Sequence, residues 1–204
     1  MKLRGHTALL AATVLLSGAG GLFGATSAAG AASAGGAERS CAGFKWNVEH
    51  ERALFKTAGK RAVAGRENAS APEIRADRLY DLSLAPQQDV HFVLQPQKKA
   101  LTDGAFAGLA RLHVATAGRY RISIDRPFWI DVIAQNQFIE SQDFAGRHGC
   151  DAPRKIVVYE LPSGDFILQL SGAISPRVRV TLTRVPAEAR AAAPTRTPEP
   201  SSSP

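Results

Sequence analysis

Between Leu79 and Thr183 apolar and polar residues alternate with a period of two, broken at short intervals by Pro, Gly, Asp and Asn. Tyr80, Leu82 and Leu84 alternate with Asp81 and Ser83. After the turn-forming run Pro86-Gln87-Gln88-Asp89 come Val90, Phe92 and Leu94. Leu112 and Val114 precede a turn at Ala117-Gly118, and Tyr120, Ile122 and Ile124 follow it. Phe128, Ile130 and Val132 come after Pro127, and Ile156 to Leu161 is rich in β-branched and aromatic residues. Pro162-Ser163-Gly164-Asp165 makes a further turn before Phe166, Leu168 and Leu170, and Val178, Val180 and Leu182 close the series. Alternation over four to eight residues, bounded by turn formers, is the pattern of half-buried strands, here in about eight runs. It predicts antiparallel pairing with one face wet. No helical period separates the strands, which disfavours a parallel α/β arrangement. The predicted fold is all-β, an antiparallel β-sandwich or jelly roll.

One helix is expected. Asn47 can cap it, Glu49 and Glu51 fall in its first turn where the helix dipole favours negative charge, and Ala53, Leu54 and Phe55 form its apolar side. Residues 57–73, rich in Gly, Ala and charge and containing Pro72, read as a loop. Residues 135–154 read as a second, long loop between two strands. Loops of that length are usually functional, flexible or stapled.

The two ends of the chain differ from this body. Lys2 and Arg4 precede the apolar stretch Ala8–Leu16 and a long run of Gly, Ala and Ser. A positive start, a short apolar middle and small residues, with A-x-A sites at Ala29–Ala31 and Ala32–Ala34, compose a secretory signal peptide. The apolar stretch is about half the roughly 20 residues a spanning helix needs, so no transmembrane anchor is expected. The domain division is therefore residues 1–37 as signal and small-residue segment, 38–185 as one sandwich domain, and 186–204 as a disordered Pro/Ala/Ser tail. Losing Lys2 and Arg4 lowers the formal charge of +7 by two units. A periplasmic or secreted location follows, and nucleic acid is not an expected partner.

Export gives the two cysteines a meaning. Cys41 and Cys150 can form one intramolecular bridge, and disulfides persist outside the cytosol. Neither lies in a C-x-x-C pair, so the expectation is a structural staple.

Candidate chemistry is sparse. H-E-x-x-H, G-x-S-x-G and the phosphate-binding G-x-x-x-x-G-K are all missing from the sequence, so no catalytic residue and no cofactor is indicated. His91 and His113 fall on polar positions of predicted strands and are the candidate metal ligands, with His148 or Asp151 arriving from the long loop. Arg119 and Arg121 on one strand, and Arg177 and Arg179 on another, with Arg111 near in sequence, form a candidate anion-binding row. Residues two apart on a strand project from one face, about 6.5–7 Å apart. Its partner would be an anionic polysaccharide or another envelope component. The third candidate is a ligand site built from the long loop with Trp129 and His148.

The segments Ala117-Gly118-Arg119-Tyr120-Arg121-Ile122-Ser123-Ile124, Leu161-Pro162-Ser163-Gly164-Asp165-Phe166-Ile167-Leu168 and Val178-Arg179-Val180-Thr181-Leu182 resemble bacterial pre-peptidase C-terminal domains. The resemblance implies a small, non-catalytic jelly-roll module attached to secreted proteins, although no peptidase domain precedes it here. The chain also resembles exported proteins of Gram-negative bacteria at large, which implies no activity. The leading expectation is an exported, non-catalytic binding or accessory module of the cell envelope. The alternative is a metal-dependent enzyme on a cupin-like barrel using His91 and His113.

Overall fold

A run such as Tyr120, Ile122 and Ile124 needs strand neighbours for its backbone groups and a second layer over its apolar face. The computed structural model, which describes residues 41, 43–98, 104–150 and 152–186, supplies both. In chain order there follow one helix, α1 (Glu49–Phe55), and the strands β1 (Lys60–Val63), β2 (Glu73–Arg75), β3 (Leu79–Ser83), β4 (Ala85–Pro86), β5 (Phe106–Val114) and β6 (Gly118–Ile124). The second half holds β7 (Trp129–Ala134), β8 (Gln137–Ile139), β9 (Ser141–Gly146), β10 (Lys155–Leu161), β11 (Gly164–Ala173) and β12 (Arg177–Arg184).

These strands make an all-β sandwich. Sheet one runs β1-β3-β12-β6-β10-β9, and sheet two runs β2-β5-β11-β7-β8 with β4 paired to β5. Neither sheet closes into the barrel that the enzyme alternative requires. The sheets are mixed rather than purely antiparallel, because β1 lies parallel to β3 and β2 parallel to β5. β1 lies within residues 57–73, where the sequence predicted only a loop, and β2 starts at the last residue of that span. Lys60-Arg61-Ala62-Val63 is an edge strand with three of four residues exposed, so no burial imprints a period on it. The connections β5–β6–β7 and β10–β11–β12 pass back and forth between the sheets. One apolar cluster fills the space between, with Tyr120, Ile122, Leu182 and Val180 from sheet one facing Leu112, Val132, Leu168 and Leu170 from sheet two.

Each outer face has its own cover. On sheet two, Ala107 and Leu109 pack with Ala85 and Val90, and Phe92, Val93 and Ile167 flank them. Residues 90–94, predicted as a strand, are not one: a 3-10 turn at Gln87–Asp89 leads into irregular chain. The amide of buried Gln169 serves this segment as a ladder partner would. It accepts a hydrogen bond from Val93 N (3.0 Å) and donates one to Leu94 O (2.9 Å).

On sheet one the cover is the N-terminal segment. The Cys41–Cys150 disulfide joins residues 109 apart, with Cα atoms 5.1 Å apart, and starts this segment beside the β9–β10 connection. Lys45 pairs with Asp143 on β9, Arg121 on β6 donates to Asn47 O (2.8 Å), and Glu51 of α1 accepts from Thr183 on β12 (2.8 Å). Asn47 is not the N-cap: Val48 holds that position without a side-chain cap, and Asn47, one residue earlier, makes a local turn in which its Oδ1 accepts from Glu49 N at 2.9 Å. The apolar side of α1 is not Ala53-Leu54-Phe55, however. The buried positions are Glu51 and Phe55, one turn apart, because Arg121 and Thr183 give the Glu51 carboxylate partners beneath the helix.

No helix among the described residues is long and apolar enough to cross a membrane. The predicted signal peptide, and the predicted tail from residue 187 on, lie outside the described residues.

Candidate binding cleft

Phe128, just before β7, and Ile130 and Val132 on it belong to the core between the sheets, while Trp129, Asp131 and Ile133 hold the alternate positions of the strand. β8 pairs with β7 only from Val132 to Ala134, so the first half of β7 has no strand on that side. The chain then leaves sheet two at Ile139 and enters sheet one at Ser141. A cleft of about 500 Å³ occupies the gap between the sheets at this end. That is within the usual volume of a small-molecule site, roughly 300–1,000 Å³. Its inner walls are Phe128 and Ile130 from sheet two, Ile139 at the crossing, and Val157 and Tyr159 from sheet one. Phe144 is 67% exposed and stands at the mouth. Gly172, at φ 71°, occupies a bulge of β11 on the lining, a conformation that favours glycine.

Two side chains of β10 reach across the gap to β7. Tyr159 Oη donates to Ile130 O (3.1 Å) and Lys155 Nζ donates to Phe128 O (2.7 Å), serving carbonyls that β8 leaves without a neighbour. Burial, with the Asp131 charge adding, pushes the Tyr159 phenol well above its ordinary pKa, so it remains a donor at working pH. Burial also lowers the Lys155 pKa, and the Lys98 charge lowers it further against the opposing pull of Asp131.

Trp129 lies on the lining with both ammonium groups near its ring, Lys155 Nζ at 5.2 Å and Lys98 Nζ at 5.6 Å from the centroid. Its indole Nε1 donates to Asp131 Oδ1 (2.8 Å), while Asp131 Oδ2 accepts from Gln97 N (3.3 Å). Asp131 thereby fixes the ring and the segment that carries Lys98. Neither Lys98 nor Lys155 makes an ion pair with any described carboxylate.

Burial raises the Asp131 pKa, opposed by the Trp129 and Gln97 hydrogen bonds and by Lys155. An acid with a raised folded pKa holds its proton in the native state where the unfolded chain has released it. The stability it contributes is complete below the unfolded value of about 3.9 and is lost as pH rises through the folded pKa. In a Trp46→Phe protein, Trp129 is the remaining indole. Its emission is expected to titrate with a midpoint above about 3.9, and Asp131→Asn is expected to abolish that step.

The other sequence candidates lie elsewhere. His148 does not line the cleft; its Nδ1 accepts from Arg154 Nη2 at 3.0 Å. His91 lies in the irregular segment after β4, exposed, with its backbone N bonded to Arg66 O (2.7 Å). His113 is on β5, where its Nδ1 sits 2.8 Å from Asp165 Oδ1 of the paired strand. Among the described residues no three His, Cys, Asp or Glu side chains gather to hold a metal ion, and Asp151 lies outside those residues.

The arginines do not form one row. Arg111 is on sheet two, and the β6–β12 register sets Arg121 opposite Thr183, four residues from Arg179. Arg121 is half-buried against the buried Glu51 (3.2 Å) with its guanidinium 5.3 Å from the Trp46 ring centroid, and Arg179 donates to the carbonyl of Phe55 at the end of α1. Arg177 pairs with Asp81 (2.9 Å) and Arg119 with Glu160 (3.8 Å). The guanidinium groups of Arg119, Arg121, Arg177 and Arg179 each have an internal partner.

Sequence reasoning therefore reached Trp129 but missed Lys98, Lys155 and Tyr159. One signal was available: Lys155 shares the inward parity of Val157 and Tyr159, an unusual position for an ammonium group. No protein-family model matches the chain, and no curated protein matches it.

Proposed function

We propose that this chain is an exported, non-catalytic module of the cell envelope that holds its ligand in the cleft beside Trp129. The carrying observation is the cleft: an apolar gap between the sheets with an oriented indole and two lysines lacking carboxylate partners. A pocket with apolar walls and a few convergent polar groups is the usual form of a small-molecule site. Export is supported by the disulfide, which requires an oxidising compartment, and by the signal-like pattern of residues 1–37. The resemblance to pre-peptidase C-terminal domains implies the same kind of role, a module without a reaction of its own.

Two measurements test this. The full chain expressed in a Gram-negative host should appear in the periplasm or medium, shortened at the N-terminus. The shortened protein should bind the neutral apolar probe N-phenyl-1-naphthylamine, and Trp129→Ala should weaken that binding about tenfold, a loss of about 1.4 kcal/mol. An unshortened cytosolic chain would refute export. Probe binding that is missing, or indifferent to Trp129→Ala, would refute the cleft as the site.

A further inference from the structure

The chemistry of the cleft narrows its ligand. A sugar ring stacks on a bare aromatic face and needs many hydrogen-bonding side chains around it. Here the Trp129 ring already has two ammonium groups within 5.6 Å, and the Tyr159 hydroxyl is spent on Ile130 O. A phosphate or a planar acid recognised two-pronged would call for an arginine fork. Among the described residues, lysines supply the only cationic groups on the lining. What remains is an apolar wall ending at two point charges. Lys155 has given one of its three protons to Phe128 O and Lys98 has no hydrogen-bond partner among the described residues, so both retain donors for an incoming anion.

We infer that the ligand is a single-chain amphiphile with a carboxylate head. Its hydrocarbon chain lies against Phe128, Ile130, Ile139 and Val157, and its head sits between Lys98 and Lys155 at the edge of Trp129. This inference rests on the cleft being the ligand site. Three properties of the structure favour it over a neutral apolar ligand. Both ammonium groups lie within 5.6 Å of the Trp129 ring, where burial and then the Lys98 charge work against the Lys155 charge, and an anion beside Lys155 offsets both. The one carboxylate near them among the described residues, Asp131, is already committed to Trp129 and Gln97. The exposed Phe144 extends the apolar surface past the mouth, as a chain entering from solution or from a membrane leaflet requires.

The experiment uses the disulfide-bonded Trp46→Phe protein, with Trp129 emission and displacement of N-phenyl-1-naphthylamine as readouts. Dodecanoate and dodecanol are compared below their aggregation limits, beside vesicles of anionic phospholipid. Dodecanoate should displace the probe about tenfold more tightly than dodecanol, the scale of a charge-assisted hydrogen bond. High salt should shrink the difference. Lys98→Gln, a change at an exposed side chain, should remove much of the preference while the probe still binds, and Lys155→Met should remove the rest. Equal binding of dodecanoate and dodecanol, with the probe bound normally, overturns the carboxylate and leaves the cleft standing. Binding to the vesicles without binding of dodecanoate also overturns it, in favour of a membrane surface. No binding of the probe removes both readings.

Discussion

Replacing Cys41 and Cys150 together by alanine is expected to lower the stability of the folded chain by about 4–5 kcal/mol. The bridge closes 109 residues, and in the chain-entropy argument a loop of about 100 residues restricts the unfolded state by about 4.7 kcal/mol. Residual structure in the unfolded chain reduces that value, so the low end of the measured range, about 2 kcal/mol, is the smallest loss consistent with a structural staple. The native contribution adds to it. Cys150 is fully buried, and the bridge starts the segment that crosses sheet one through Lys45, Asn47 and Glu51. Urea unfolding of the alanine pair beside the reduced wild type reads both parts: the two midpoints should fall together, well below that of the oxidised protein. A midpoint unchanged by either treatment would show that the N-terminal segment holds without its covalent end.

The sandwich was legible because its inner face imposes a period. Ile122, Ile124, Leu168, Leu182 and their neighbours are wholly buried, and each alternates with residues that solvent or a cover reaches. Where no such constraint exists the pattern was silent or misleading. β9 reads Ser-Gln-Asp-Phe-Ala-Gly because it is an exposed edge, paired on one side only, so it passed for loop. The opposite error fell on Val90, Phe92 and Leu94. Their alternation is real, but Phe92 and Val93 pack on the outside of sheet two, and the Gln169 side chain takes the place of a neighbouring strand. A period of two reports that alternate side chains are buried. It does not report what their backbone is bonded to.

The same distinction explains the site. Trp129 was found because an indole at an outward strand position is conspicuous. Its partners were not, since Lys98 lies in a segment with no period and Lys155 belongs to the opposite sheet, brought near only by the sandwich. The arginines failed for a related reason. Alternation places Arg119 with Arg121 and Arg177 with Arg179 on shared faces, but the register that separates the two pairs, and the helix that covers Arg121, are tertiary facts.

Arg121 gives the second large effect. Arg121→Met should destabilise the protein by about 3–5 kcal/mol, because it leaves the Glu51 carboxylate, with 3% of its side chain exposed, buried without a counter-charge. Arg177→Ala at the exposed Asp81 pair should cost no more than about 1 kcal/mol, although that pair is closer, 2.9 against 3.2 Å. Burial, not distance, sets the difference. The Arg121 pair is itself imperfectly satisfied, since Arg121 Nε and Glu51 Oε2 are buried with no hydrogen-bond partner among the described residues. Removing both charges should therefore restore most of what removing one loses: Glu51→Leu with Arg121→Met is expected within about 1–2 kcal/mol of wild type, with Thr183 Oγ1 the group left to find a new acceptor. Urea midpoints of the two single variants and the double variant form the cycle that measures this coupling. Additive losses would mean that α1 is held to β6 and β12 by packing alone. A double variant far more stable than either single would show that the charges serve to set the helix in place against this face, as a matched pair whose halves are harmful apart.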